Sequence, residues 1–446
     1  MSYLLIPAEA EATSAIVWLG ALDEPTDPAT LEVVPEGRQP VPVQAWDHDI
    51  SGGPHRVQAS RIRLDGLPTR SRQRVELKRG TRVLATATTG TLPDRLPGIE
   101  ERPFTILLGS CFARGKDGAG LVGRTYGLLP TGARPDLKIL CGDQVYLDAP
   151  SVWTVIPSVT EEELRRRLLE TYIAAWTQEP GFHGLLADGP NVFTSDDHDF
   201  WNNAPNGSIT APATLVEPLR VAWWREASKL YGAFQRPLPA AALRLEMDGL
   251  SICVADSRAN RTRGRDRFLS PEDLVAIGDW AAALTAPGCL VLGQLVFANP
   301  GGWLARMADL GLPDFAQYRE LVDALARASH SIVLLSGDVH FGRVSVCTLE
   351  PGRELMEVVA SPLSLVARFP SNEWKRAARL YPPEAIPGRV QRPITTEEGY
   401  RLNRNHFATV EFSRGGGFVR VRVRAWPTDL VGRLPVPTQE TVRWIA

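Results

Sequence analysis

The pattern of hydrophobic and polar positions changes period near residue 100. Before it, apolar residues alternate with polar ones. Ser14-Ala-Ile-Val-Trp-Leu-Gly20 has the composition of a strand, and residues 56–64 place β-branched and apolar side chains between arginines and polar residues. Arg74-Val-Glu-Leu-Lys78 and Arg82-Val-Leu-Ala-Thr-Ala-Thr88 repeat the period of two on either side of Arg79-Gly80, which predicts a hairpin. Helical periodicity is absent here, so residues 1–95 read as a small β-sandwich, with Pro93-Asp-Arg-Leu-Pro-Gly98 as a linker.

From residue 100 to 446 the recurring unit is a continuous apolar run, a polar turn and a helix. Phe104-Thr-Ile-Leu-Leu108 leads into Gly109-Ser-Cys-Phe, Leu137-Lys-Ile-Leu-Cys141 into Gly142-Asp143, and Asn191-Val-Phe-Thr194 into Ser195-Asp-Asp-His-Asp199. Residues 250–255 lead into Asp256, Cys289-Leu-Val-Leu292 into Gly293-Gln294, and Ser331-Ile-Val-Leu-Leu335 into Ser336-Gly-Asp-Val-His340. Such runs are strands buried on both faces, and open α/β sheets build their sites at strand carboxyl ends. Thr160 with Glu163, and Ser270 followed by Pro271, are helix starts. Strict alternation over residues 407–412 and 418–425 predicts an antiparallel pair closing the sheet. A helix-rich insertion at 212–234, carrying Trp223-Trp224, is expected to shape a site entrance.

Composition narrows the class. The 446 residues are 44% hydrophobic and 22% charged, which excludes a disordered or collagen-like chain. Lys+Arg 49 against Asp+Glu 51 leaves a formal charge of −2, with no nucleic-acid or anionic-membrane footprint. Five cysteines without a CxxC pair argue against a disulfide framework or zinc ribbon. The first residues lack a basic segment and a twin arginine, and no apolar run is long enough to span a bilayer, so a cytoplasmic location is expected.

The polar turns carry Cys111; Asp143, Tyr146 and Asp148; Asp196, Asp197, His198 and Asp199; and Asp338 and His340. Carboxylates and imidazoles converging from separate strand ends suit a metal site. An oxygen-rich set favours iron, manganese, calcium or magnesium over structural zinc. Trp46-Asp-His48-Asp mimics such a motif but lies in the β-rich region, away from the other turns, and reads as a solvated loop.

Gly142-Asp143-Gln-Val-Tyr146, Asp197-His198-Asp199 and Gly337-Asp338-Val-His340 resemble the motif series of the calcineurin-like metallophosphoesterases, and Gly-Asp-x-x-Tyr is similar to that of purple acid phosphatases. The Ser110-Cys111 start, Asp-Asp-His-Asp and Ser-Gly-Asp-Val-His narrow the resemblance to the PhoD-like alkaline phosphatase D family. Asp256-Ser-Arg258-Ala-Asn-Arg261 and Ala360-Ser-Pro-Leu-Ser364 fit the same branch. The resemblance covers nearly the whole chain.

It implies an α/β (α+β) four-layer metallophosphoesterase-like sandwich preceded by a fibronectin type III-like β-sandwich. It implies hydrolysis of phosphomonoesters or phosphodiesters by a metal-bound hydroxide, with a small phosphoester as the substrate. The metals implied are iron (Fe3+) and calcium (Ca2+), with manganese, magnesium or zinc as alternatives. Cys111 and Tyr146 are implied as iron ligands, Asp143 as the bridge, and Asp197, Asp338 and His340 as further ligands. His198 is the implied general acid and Arg258 a bidentate phosphate clamp. Asp148 and Asp196 are expected behind the ligands or on the calcium side, and Gln294 stands where relatives often supply a histidine. Asp197 replaces an asparagine of the family pattern, and Asp338 a histidine. Two rival readings are a thiol hydrolase using Cys111 with His198 and a non-catalytic binding protein on a degenerate scaffold.

Overall fold

The structure is a computed structural model that describes residues 3–149, 160–239, 241–300, 310–365, 392–429 and 434–446. The alternating N-terminal stretch forms β1 (Tyr3–Ala10), β2 (Ser14–Leu22), β3 (Glu32–Pro35), β4 (Val41–Pro42), β5 (His48–Gly52), β6 (His55–Asp65), β7 (Arg72–Arg79) and β8 (Arg82–Gly90). These make two four-stranded sheets, ordered β1-β2-β6-β5 and β4-β3-β7-β8. The expected hairpin is β7/β8, with Arg79 opposite Arg82. His48 and Asp49 open β5, where Asp49 accepts a 2.8 Å bond from the Arg56 guanidinium, an internal role for the metal-like sequence there.

Residues 93–98 are packed rather than a free linker. Leu96 is buried, its N–H donates to the Asp248 carbonyl at 2.7 Å, and the Arg414 N–H donates to the Pro97 carbonyl at 2.8 Å. Leu5, Val17 and Leu77 of the first sheets share one buried cluster with Phe104, Ile106 and Val410, so the apolar core continues across this connection.

The remaining strands are β9 (Phe104–Gly109), β10 (Leu137–Cys141), β11 (Asn191–Thr194), β12 (Leu243–Met247), β13 (Leu250–Val254), β14 (Gly288–Gly293), β15 (Ile332–Ser336), β16 (Gly342–Glu350), β17 (Arg353–Val359), β18 (Ile394–Leu402), β19 (His406–Gly415), β20 (Phe418–Pro427) and β21 (Gln439–Ile445). They form a six-stranded sheet, β11-β10-β9-β19-β20-β21, and a seven-stranded sheet, β12-β13-β14-β15-β17-β16-β18. β9, β10 and β11 are parallel, as are β13, β14 and β15, so each set delivers its carboxyl ends to one edge. The alternating C-terminal pair is β19/β20, antiparallel as its pattern predicts; β19 joins β9, and β21 rather than this pair ends the sheet.

Side-chain alternation assigns the faces. Ile106, Leu108 and Ile139 of one sheet meet Ile252, Val291 and Val333 of the other in a shared cluster. On the opposite faces, Leu107 and Leu140 pack among residues of α2 (Glu161–Trp176), α3 (Phe182–Leu186) and α4 (Glu217–Phe234), which follow α1 (Leu121–Gly127). Leu290 and Leu334 pack among residues of α5 (Pro271–Ala283) and α6 (Tyr318–Ala326). The helix starts are where the sequence puts them. Thr160 Oγ1 accepts the Glu163 N–H at 3.2 Å, and Ser270 Oγ accepts the Asp273 N–H at 3.0 Å. The Glu163 carboxylate does not close a capping box; it pairs with Arg166 and Arg167 instead.

The 212–234 segment is α4 with the short turn before it. Trp223 is buried, edge-on to Trp201 at 6.0 Å, and Trp224 stacks on Phe200 at 4.4 Å, so both tryptophans are packing residues. No helix among the described residues is long and apolar enough to cross a membrane.

Two outcomes follow from this frame. Gly142 has φ +79°, and a Cβ there would meet the Asp196 Cβ at 2.2 Å. Gly142→Ala is therefore expected to cost upwards of about 2 kcal/mol of stability in denaturant unfolding, from left-handed strain plus the clash. His406 is buried and donates Nδ1–H to the Arg404 carbonyl at 2.8 Å. Burial pushes its imidazole down to about 4, from an ordinary value of 6.5. The folded ring stays neutral where the unfolded ring protonates, so its share of stability is full above pH 6.5 and is lost as pH falls towards 4. His406→Asn should flatten the dependence of melting temperature on pH across that interval.

Candidate metal centre

The turns after β9, β10, β11, β14 and β15 converge where the two sheets meet. Four non-glycine residues there sit at positive φ: Cys111 at 57°, Asp143 at 56°, Asp338 at 68° and His340 at 54°. Each such conformation costs on the order of 1–3 kcal/mol, and clustering of this kind is typical of functional sites. The turn before Asp338 is also tight, since a Cβ on Gly337 would meet the Ser110 side chain at 2.5 Å.

Asp143 is the centre. Its Oδ1 accepts the His198 backbone N–H at 3.0 Å; its Oδ2 lies 3.3 Å from the Tyr146 hydroxyl and 3.5 Å from Cys111 Sγ. Ligand atoms of Asp143, Asp197 and His198 lie within 4.8 Å of one another, and so do those of Asp196, Asp197 and Asp338. The two groups share Asp197. Donors therefore run from a sulfur and a phenol at one end, through Asp143 and Asp197, to a carboxylate pair at the other. His340 is on the same turn as Asp338 and gives its N–H to Ser361 Oγ at 3.0 Å, but its ring belongs to neither three-residue group among the described residues.

The electrostatics match a site built around positive charge. Burial pushes the Asp143 carboxyl well up; His198 opposes that shift, while Asp197, Asp196 and Asp199 add to it. Burial, then Asp143 and Asp338, push the Cys111 thiol up. Burial, then Cys111 and Asp143, do the same to the Tyr146 phenol. Acid groups crowded in low dielectric resist ionisation until a cation offsets them. Sulfur, phenolate, carboxylate and imidazole donors together fit metal ions.

His198 is set up differently. Burial pushes its imidazolium down, but Asp148, Asp197 and Asp143 outweigh burial and hold it well above the usual range. Its Nδ1 lies 2.7 Å from Asp148 Oδ1, leaving Nε2 as the other ring nitrogen, and its ring tilts against Tyr146 at 4.4 Å. Asp148 also accepts the Asn202 N–H at 2.9 Å, so it supports His198 from behind.

Two expected roles change. Arg258 is 0% exposed; its Nε donates to Asp196 Oδ1 at 2.7 Å and its Nη1 to the Ala204 carbonyl at 2.9 Å. A guanidinium committed this deeply does not clamp a phosphate entering from solvent; it holds Asp196 in place. Gln294 is a brace rather than a histidine substitute. Its Nε2 donates to Asp196 Oδ1 at 2.9 Å and to Asp338 Oδ2 at 3.3 Å, while its Oε1 accepts from Arg261.

Three supports have no role in the sequence reading. Asp199 accepts N–H bonds from Asp143, Gln144, Val145 and Asp196, and one from the Gln235 amide, all between 2.8 and 3.3 Å. Ser361 donates to Cys111 Sγ at 3.2 Å and also holds the His340 N–H. Asp256 accepts from Ser195, from the Tyr231 hydroxyl at 3.2 Å and from the Arg258 N–H at 2.9 Å. The Asp-Asp-His-Asp run, the Ala-Ser-Pro-Leu-Ser segment and the Asp256-Ser-Arg258 segment were visible signals for these positions, but none of them separates a support from a ligand.

No protein-family model matches this chain, and no curated protein does. Among solved structures, it is similar to the one described as "Structure of PhoD", with a TM-score of 0.66 at 13% sequence identity, over 99% of this chain and 91% of that one. At that identity the likeness is one of architecture: the chain has a PhoD-like fold.

Proposed function

We propose that this protein is a metal-dependent phosphoesterase that hydrolyses phosphomonoesters or phosphodiesters. The observation that carries this reading is the Asp143-centred donor set at the strand ends of a PhoD-like fold. Cys111, Tyr146 and Asp143 would hold a ferric-type ion, since thiolate and phenolate suit it. Asp143, Asp197, Asp196 and Asp338 would hold a harder ion such as calcium. Bound there, the metals supply a water nucleophilic at neutral pH and offset the charge on the phosphate. The layout proposed is a fibronectin type III-like unit over residues 1–95 and a four-layer catalytic unit over 100–446.

The chain's own residues supply the proton and the positioning. As the water oxygen bonds to phosphorus and the ester P–O bond breaks, the leaving oxygen takes a proton from His198 Nε2. The Asp148 carboxylate on Nδ1 fixes the ring and favours its charged form. Arg258, Gln294 and Asp199 keep the carboxylates from rotating away.

The thiol-hydrolase alternative loses its basis. Cys111 Sγ is buried among Ser110, Asp143, the Asp338 carbonyl and Ser361, with no imidazole partner among the described residues, and its thiol is pushed up rather than down. A binding protein on a degenerate scaffold leaves the donor set unexplained.

Asp143→Asn should remove bound metal, read by elemental analysis, together with turnover of a chromogenic phosphodiester; full metal with full turnover would sink the model. His198→Asn should keep the metal and lower kcat by roughly 10²–10⁴-fold, the usual range for loss of a general acid. Metal loss in that variant would instead make His198 a ligand.

A further inference from the structure

Beside the metal centre lies an open cleft of about 970 Å³. One wall is the turn after Cys111, with Arg114 and Lys116; the other is α2, with Arg166 and Arg167; Gln144 and Tyr146 also line it. Tyr146 connects the two spaces, because its hydroxyl also reaches Asp143 Oδ2 at 3.3 Å. Arg114 is three residues beyond Cys111, so their Cα atoms are at most about 11 Å apart.

The cleft walls carry opposite chemistry to the metal centre. The centre is lined by carboxylates, whereas four cationic side chains and one acidic one, Glu170, line the cleft. The cations differ in their commitments. Arg166 pairs with Glu163 and Glu170, and Arg167 with Glu163. Arg114 and Lys116 are exposed, and neither is paired with a carboxylate among the described residues. A second observation is independent of charge. Gln144 is 0% exposed, and neither atom of its side-chain amide has a hydrogen-bond partner among the described residues. A buried amide without partners is costly, and a ligand that both accepts from it and donates to it relieves that cost. Its backbone N–H is already held by Asp199, so the residue cannot swing away as a unit.

We propose that this cleft is the leaving-group subsite, and that it selects phosphoesters whose leaving group carries a second phosphate. Arg114 and Lys116 bind that second phosphate, and the Gln144 amide bonds a hydroxyl or ester oxygen between the two phosphates. The proposal rests on the phosphoesterase reading and adds the substrate class.

The test is phosphate release or ester cleavage from matched pairs: fructose 6-phosphate against fructose 1,6-bisphosphate, and a dinucleoside monophosphate with and without a terminal 5′-phosphate. In the wild-type protein, the member of the cleaved pair that carries the second phosphate should have the higher kcat/KM. The Arg114→Gln/Lys116→Gln double variant should lose roughly tenfold or more on that member and less than about twofold on the other, with metal content unchanged. Raising salt in the wild-type protein should erode the same preference, a readout that needs no variant. No preference in the wild-type protein, or equal losses on both members in the variant, overturns the subsite and leaves the phosphoesterase reading standing. No cleavage of any of the four compounds overturns both.

Discussion

The arrangement depends on one buried carboxylate, that of Asp199. It draws three consecutive backbone N–H groups of the Asp143 turn, and that of Asp196, onto a single pair of oxygens. The carboxyl is pushed up to about 7, chiefly by burial and against the pull of those N–H donors. Burying a carboxylate costs several kcal/mol even after relaxation, while each hydrogen bond to it returns about 1.5–3 kcal/mol. The anion is tenable only with most of the five donors in place. Two turns from neighbouring strands, and the Gln235 amide just beyond α4, are thereby locked to one point.

That lock holds the strained Asp143 turn; the other strained turns are held from the strands behind them. Cys111, Asp143, Asp338 and His340 all hold left-handed backbone angles. They persist because the strands behind them are overdetermined: β9, β10, β14 and β15 are buried throughout, and the facing sheets share one core. Arg258 and Gln294 add cross-links between the turn after β11 and the second sheet's turns. Donors on four separate turns then keep fixed separations, which is what metal ligation requires of a protein.

Most of the strands near the site were legible because a strand buried on both faces leaves an unambiguous mark, an unbroken apolar run cut off by a polar turn. The residues 137–141 and 191–194 behave this way, and the parallel ladders follow. The ligand candidates were legible for a related reason: Asp, His, Cys and Tyr at such turns have no packing role that suits them. Assignments beyond those positions went astray where two chemistries share one residue type. An arginine beside a site reads as a phosphate clamp, yet Arg258 is a buried partner of Asp196. A tryptophan pair in an insertion suits base stacking and packing alike by residue type, and here Trp223 and Trp224 pack in an aromatic cluster.

The amino-acid sequence by itself determined the change from alternating to continuous apolar strands, the helix starts at Thr160 and Ser270, and which turns carry chemistry. These are local properties, set by periodicity, capping and residue type. Only the tertiary structure decided which carboxylates face one another, which are held from behind, and that Gln144, Arg114 and Lys116 border the same cleft. Those outcomes rest on contacts between residues tens to hundreds of positions apart, such as Cys111 with Ser361 and Asp196 with Gln294. Whether a charged side chain ends as ligand, brace or open binding group is set by burial and partners, and these exist only once the sheets have packed.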